Sequence, residues 1–339
     1  MKKYSMRVSG LFLIMSLLFI GMGLKNYYQE DKKVQNFKLG VLLYRGDDEF
    51  ISTVADNMEK QKETFKEKYG QELVITYKDA KQNQSVQNQQ IDDMLKNDYD
   101  AIAVNIVDRT IASGIIEKAK QADIPVVFFN REPVANDLNR WEKAFYVGSD
   151  AWDSGEKEAQ IVVNQWRSHQ EDLDINHDGI LQYVLLEGEE VHQDSLIRTE
   201  ASIQYLTEAG IKLQRLNRGV ADWMRGPAFD LTERWLKEEN QIELVISNND
   251  EMALGALEAI NAHKKTPFPA VVGIDGTEEA IKAVDNGEML GTVINFSEKQ
   301  AETVIELAAE AHTVKGQLIS GEPIIDQHYV WIPYKIYSK

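Results

Sequence analysis

Hydrophobic positions fall along the chain in two forms. Some are short unbroken apolar runs; others return at intervals of three and four between polar residues. The runs KLGVLLY (38–44), ELVITY (72–77), AIAVNIV (101–107) and PVVFF (125–129) read as buried strands. Helical patterns separate them, one from about Phe50 to Tyr69 and another carried by Ile111, Ile115, Ile116 and Ala119. A second series begins near Val147. It supplies strands YVLL (183–186), LQRLN (213–217), LVIS (244–247), AVVGI (270–274) and GTVI (291–294), again with helices between. Continuous apolar strands between amphipathic helices imply parallel sheets covered on both faces. Two such series predict an α/β chain of two doubly wound parallel-sheet lobes.

Composition narrows the function classes. A chain of 339 residues suits two medium domains. A net charge of −18 and a pI near 4.8 argue against a phosphate-backbone partner, and no basic stripe is present. At the N-terminus, Lys2, Lys3 and Arg7 precede an uncharged apolar run from Val8 to Leu24, and Lys25 follows. That is the layout of an export signal. At 1.5 Å per residue the run reaches ~26 Å, marginally enough to cross a bilayer. Gly21 and Gly23 are the nearest approach to a cleavage site, so residues 1–24 read as an export signal or an uncleaved anchor. Residues 25–36 (KNYYQEDKKVQN) read as a polar tether. The chain has no cysteine, which excludes a lipid anchor through that residue.

In open α/β sheets, ligands bind in the crevice beyond the carboxyl ends of the strands. The residues that fall there are Asp47, Asp48 and Phe50, Asn130, His192, Asp194 and Arg198, Trp223, Asn248, Asn249 and Asp250, Asp275 and Asn295; the set chosen from them is Asp48, Phe50, Asn130, His192, Asp194, Arg198, Trp223, Asn249, Asp275 and Asn295. Each alone has an ordinary explanation: a helix cap for an Asp, a turn for an Asn, the core for Phe50 or Trp223. Together they make a set of carboxylates and amides with aromatic rings. Paired polar atoms suit the vicinal hydroxyls of a neutral sugar, and rings suit its C–H faces. A phosphorylated ligand fits less well, with one arginine in the set and no glycine-rich phosphate loop. A glycosidase needs two carboxylates at fixed separation across a glycosidic bond; here the carboxylates are mixed with amides in a set suited to grasping one ring.

The stretch Asp174-Ile-Asn176-His-Asp178-Gly179-Ile180-Leu-Gln182 places oxygen-bearing side chains at alternate positions with glycine at the sixth. That is the front of a calcium loop. The closing glutamate expected at the twelfth position is replaced by Leu185. Either another part of the fold supplies the missing carboxylate, or the stretch is a solvated acidic turn.

The segments GVLLYRGDDEF (40–50), PVVFFNREP (125–133), DINHDGILQYVLLEGEEVHQDSLIRT (174–199), LVISNND (244–250), VVGIDG (271–276) and GTVIN (291–295) resemble, in order and spacing, those of the galactose/glucose-binding proteins of bacterial ABC sugar transport. These belong to the periplasmic-binding-protein type I superfamily, and the resemblance runs from about Lys38 to Tyr334. It implies two lobes joined by a three-stranded hinge, with residues 37–148 plus 297–332 in the first and 149–296 plus 333–339 in the second. It implies that Asp48, Phe50, Asn130, His192, Asp194, Arg198, Trp223, Asn249, Asp275 and Asn295 bind a monosaccharide, glucose or galactose, with Phe50 and Trp223 on either side of the ring. It also implies a structural Ca2+ held by Asp174, Asn176, Asp178, the Ile180 carbonyl, Gln182 and a remote Glu243. The expected role is capture without chemistry, outside the cytoplasm. The expected partners are ABC permease subunits or, for a tethered version, a sensor histidine kinase. A repressor of the same superfamily is disfavoured, because an apolar export segment stands where a DNA-binding module would be.

Overall fold

The computed structural model describes residues 35–238, 241–263, 267–311, 318 and 320–339. The apolar run at Val8–Leu24 and nearly all of the tether lie outside these residues. Among the described residues, no helix is long and apolar enough to cross a membrane.

The first lobe is built on β1 (Asn36–Leu43), β2 (Glu72–Asp79), β3 (Ala101–Val104), β4 (Val126–Phe129), β5 (Ala144–Gly148) and β11 (Tyr329–Trp331). These form one parallel sheet in the order β11-β5-β4-β3-β1-β2. The second lobe repeats the plan with β6 (Leu181–Glu187), β7 (Leu213–Val220), β8 (Leu244–Ser247), β9 (Ala270–Asp275), β10 (Gly291–Ile294) and β12 (Lys335–Ser338). Its order is β12-β10-β9-β8-β6-β7, with only β12 antiparallel.

Strand residues alternate between two faces, and both faces are covered. Leu39, Val41, Ala103, Val127 and Val147 point into one core, shared with α1 (Glu49–Lys60) and α11 (Ser297–Glu310). Leu42, Ile102, Val104, Phe128 and Tyr146 point the other way, toward α3 (Gln84–Lys96) and α4 (Ala112–Ala122). In the second lobe Val184, Leu186 and Val245 join a core with α8 (Arg225–Glu238), α9 (Asp250–His263) and α10 (Glu278–Asn286). Tyr183, Leu185 and Ile246 pack toward α6 (Ala151–Ser168) and α7 (Gln193–Glu208). Burial on both faces is why the central strands read as unbroken apolar runs. Each such side chain contributes roughly 1.5–3 kcal/mol.

Several boundaries differ from the sequence reading. The helix expected from Phe50 to Tyr69 divides at Gln61 into α1 and α2 (Lys62–Tyr69). The strand expected at 101–107 ends at Val104: the Asn105 N–H still donates to the Leu42 carbonyl, but the Tyr44 N–H then takes Asn105 Oδ1 and the Asn105 carbonyl accepts from Gln87 Nε2, so the backbone ladder stops. Strands β5, β11 and β12 add to those named from the sequence. A short helix, α5 (Ala135–Leu138), follows β4.

The chain passes between the sheets three times, at Gly148–Ala151, Ile294–Ser297 and Trp331–Lys335. The crossings are tied to one another. The Ser149 hydroxyl donates to Asn295 Oδ1 at 3.1 Å, and the Ile332 N–H donates to the Gly148 carbonyl at 2.7 Å.

Candidate functional site

The strand ends of the two sheets face a gap of about 360 Å3. The first lobe lines it with Tyr44, Asp48, Phe50, Ile51 and Asn130, the second with His192, Asp194, Arg198, Trp223, Asn249 and Asp275.

Local structure fixes what each side chain can offer. Asp48 is the N-cap of α1: Oδ1 accepts from the Ile51 N–H at 3.0 Å and Oδ2 from the Tyr44 hydroxyl at 2.5 Å. Capping and site membership therefore coexist in one carboxylate, which keeps lone pairs for a ligand. Asn130 sits just beyond β4 at φ +61°, and its Oδ1 accepts from Asn105 Nδ2 at 3.1 Å. Its own Nδ2 is thereby left as the donor. His192 caps α7: Nδ1 accepts from the Asp194 N–H at 3.1 Å, so in the neutral ring the proton is on Nε2. Asn249 accepts from the Met252 N–H through Oδ1 and donates one amide hydrogen to the Trp223 carbonyl, keeping the second free.

Arg198 donates from Nη1 to the Asn248 carbonyl at 2.7 Å and from Nη2 to the Tyr334 hydroxyl at 3.0 Å. Among the described residues, its buried Nε has no hydrogen-bond partner. Among the described residues, the Asp194 carboxylate receives no hydrogen bond from a protein donor, and its nearest cation-capable neighbour is His192 Nδ1 at 3.9 Å. Asp275 stands 3.9 Å from Arg198 Nη1.

The lining thus alternates acceptors (Asp48, Asp194, Asp275) with donors (Asn130, His192, Arg198, Asn249). A sugar hydroxyl donates once and accepts twice, which is the complement of that lining.

Burial sets the electrostatics. It pushes the Asp194 and Asp275 carboxyls up, and Arg198 pulls both back toward ionisation. Burial pushes His192 well down, reinforced by Arg131, Arg198 and Arg109, so the imidazole is neutral. With its basic Nδ1 occupied by a backbone N–H, that imidazole is not available as a general base.

Backbone strain concentrates at the same place. Asn130, Trp223 and Asp275 have φ of +61°, +67° and +130°. Non-glycine residues in such regions cost about 1–3 kcal/mol each and persist where the surroundings over-determine them. For Trp223 those surroundings are visible. Its indole meets the His192 ring edge-on at 5.2 Å and lies against Gly188, where an added Cβ would come within 2.1 Å of it.

Nine of the ten residues singled out from the sequence line the gap. The tenth, Asn295, is buried one layer behind. Its Oδ1 accepts from Ser149 and Gln300, and its side chain hydrogen-bonds Asp275. Tyr44 and Ile51 were missed. Tyr44 closes an apolar run and so passes for a strand residue, while Ile51 reads as a helix core position.

Away from the gap, the loop before β6 gathers the oxygens of the calcium-type stretch. Asp174 Oδ2 accepts from the Gly179 N–H, Asn176 Nδ2 donates to Gln182 Oε1, and Gln182 Nε2 donates to Asp178 Oδ2, at 2.9–3.0 Å. Glu243, just before β8, accepts from the Asn176 and Gln182 N–H groups at 3.2 and 3.0 Å. Asp174 Oδ1 is buried and, among the described residues, has no hydrogen-bond partner. None of these three carboxylates forms a salt bridge with a lysine or arginine among the described residues. Among the described residues no three His, Cys, Asp or Glu side chains converge as a metal site, so a hard cation here would have to draw on amide and carbonyl oxygens as well as carboxylates.

Comparison with known proteins agrees with this architecture. Residues 39–317 match the periplasmic binding protein domain family. The D-galactose/methyl-galactoside binding periplasmic protein MglB of Haemophilus influenzae is 38% identical over 300 residues, 88% of each chain. The ribose import binding protein RbsB of Bacillus subtilis is 27% identical over 277 residues, covering 82% of this chain and 81% of that protein. Among solved structures, an ABC transporter solute binding protein from Bacillus halodurans C-125 with bound myo-inositol is 27% identical with a TM-score of 0.72, covering 91% of this chain and 96% of that one. Two parallel-sheet lobes, three crossings and a polar gap at the strand ends accompany these matches, and the chain belongs to the periplasmic binding protein family with its type I fold.

Proposed function

We propose that the protein captures a single neutral monosaccharide, an aldohexopyranose of the glucose or galactose type, and presents it to an ABC importer outside the cytoplasm. The observation that carries this reading is the alternation of fixed donors and acceptors, with Phe50 and Trp223, around a gap lined by both lobes. The relatives support it, since MglB of Haemophilus influenzae is named for galactose and methyl-galactoside. Sugar bridging both lobes stabilises the closed clamp, a population shift about the three crossings. Phe50 and Trp223 supply apolar surface for the C–H faces of the ring. A sugar lacking one hydroxyl leaves a buried group unpaired, a cost of about 1–3 kcal/mol, and this provides discrimination. No bond is made or broken.

In this reading Asp174, Asn176, Asp178, the Ile180 carbonyl, Gln182 and Glu243 hold Ca2+. Its contribution is structural: it neutralises the clustered carboxylates and pins the loop to the entrance of β8.

Titration with a panel of monosaccharides, followed by tryptophan fluorescence and calorimetry, tests the proposal. Glucose or galactose should bind most tightly. Trp223→Ala and Asp275→Ala should abolish measurable binding while the fold is retained, and unaltered affinity in either variant would overturn the assignment.

The apolar run Val8–Leu24 favours a second reading of the output, in which an anchored clamp reports sugar to a membrane histidine kinase. N-terminal sequencing of the membrane-associated native protein separates the two, because removal of residues 1–24 eliminates the anchored form.

A further inference from the structure

A cluster at the mouth of the gap joins the lobes without touching the ligand space. Glu189 follows β6 in the second lobe and is not among the residues lining the gap. Among the described residues, all its side-chain partners belong to the first lobe. Arg131 Nη2 donates to its Oε2 at 2.6 Å and Gln82 Nε2 to its Oε1 at 2.9 Å, with Arg45 Nη1 3.8 Å away. The two arginines and Glu189 are only 7–11% exposed. Two weaker bridges flank the cluster: Gln193 Nε2 donates to Glu132 Oε2 at 3.1 Å, and Arg45 approaches the Asp222 carbonyl at 3.4 Å.

We propose that Glu189 is an affinity-determining positioning residue, a latch that holds the clamp closed over its ligand by pairing with Arg131, Gln82 and Arg45. The proposal deepens the sugar-capture reading and rests on it for the identity of the ligand. Both arginines have other partners within their own lobe, Asp47 for Arg45 and the Val107 carbonyl for Arg131. Opening therefore costs Arg131 its bond to Glu189, and costs Arg45 Glu189 and the long contact to the Asp222 carbonyl, while each keeps its partner within the first lobe; the pairing acts on the closed-to-open equilibrium and not on the folding of either lobe.

The latch also reaches the site. The Arg131 guanidinium lies 3.6 Å over the Tyr44 ring, and the Tyr44 hydroxyl holds Asp48. The apparent dissociation constant equals the intrinsic one divided by the closed, competent fraction. Glu189 thus sets affinity from outside the ligand's reach.

The test uses the full-length protein in mild detergent. Glu189→Gln should raise the sugar Kd about tenfold, chiefly through faster release. Arg131→Met should weaken binding similarly, and the double variant should be less than additive. Because the native chain has no cysteine, dyes on cysteines introduced at Glu117 and Glu208 report lobe separation without sugar. Glu189→Gln should shift that distribution toward open and remove its sensitivity to salt. Release rates and sugar-free lobe distributions identical to the parent's would overturn the proposal. If no monosaccharide binds the parent, the ligand reading fails while the sugar-free distribution still decides the latch.

Discussion

The imidazole Nδ1 of His192 accepts the backbone N–H of Asp194 at 3.1 Å, which commits the ring to presenting Nε2–H toward the gap. Protonation would destroy that acceptor. Burial and three arginines hold the group well below its ordinary value near 6.5, so the folded, closed protein favours neutral imidazole. Its contribution is complete above the ordinary value and is lost as pH falls below it. If opening the clamp re-exposes the ring and returns it toward its ordinary value, closure over sugar must expel a proton at low pH, so sugar affinity should be flat from pH 7 to 8 and decline below about 6.5. His192→Asn keeps an acceptor and a donor without titrating, and should flatten the acid limb. Calorimetry between pH 5.5 and 8 measures both curves, and parallel declines would refute the assignment.

Asn105 is fully buried and donates to both the Phe129 carbonyl and the Asn130 side chain. Asn105→Leu should free the Asn130 amide to rotate and take away the buried Oδ1 that accepts the Tyr44 N–H at 3.3 Å. Sugar affinity should fall by roughly tenfold or more, and stability by about 1–3 kcal/mol. Denaturant titration beside ligand titration separates the two losses. Full affinity in a destabilised variant would show that Asn130 needs no such support.

Chelation tests the cation loop. If Ca2+ is bound at about a hundred times its dissociation constant, its removal should lower the melting midpoint by roughly 5–10 °C. Sugar affinity should change far less, since the loop stands apart from the gap. Glu243→Gln should melt at the chelated midpoint and ignore added calcium. Identical melting curves with and without chelator would refute the cation reading.

Glu158, on α6, is fully buried. One oxygen accepts from Ser202 Oγ at 2.7 Å, and the other has no partner. Burial raises its pKa from 4.5 to about 8. The folded protein thus keeps a proton that the unfolded chain releases. The stabilisation is complete below about 4.5 and is lost as pH rises through 8. Glu158→Gln should lose less stability between pH 5 and 9, with the curves furthest apart above 8. Denaturant midpoints at pH 5, 7 and 9 show this, and matching curves would contradict it.

Much of the site was legible because parallel strands deliver their last residues to one edge. Finding Asn130, Asn249 and Asp275 required only locating the ends of PVVFF, LVIS and AVVGI. Asn295 sits at such an end too, yet the crossing turns its amide toward Ser149 and Gln300, a local bend with no signature in GTVIN. The division at Gln61 was hidden because the polar run around it carries no apolar stripe and no glycine or proline. Glu189 was invisible for a different reason. Its partners lie 58, 107 and 144 positions away, and pairing over such distances leaves no periodicity. Strands β5, β11 and β12 are short and flank the crossings, where sequence neighbours belong to different sheets.

Those crossings bear on how the protein is made. Ala301, Val304 and Leu307 of α11 pack in the same core as Leu39, Val41 and Val54. The first half to leave the ribosome therefore lacks part of its own interior until some 160 further residues have been synthesised after Gly148. Most domains fold as units, N-terminal first; this lobe is instead left unfinished while the other is still being built.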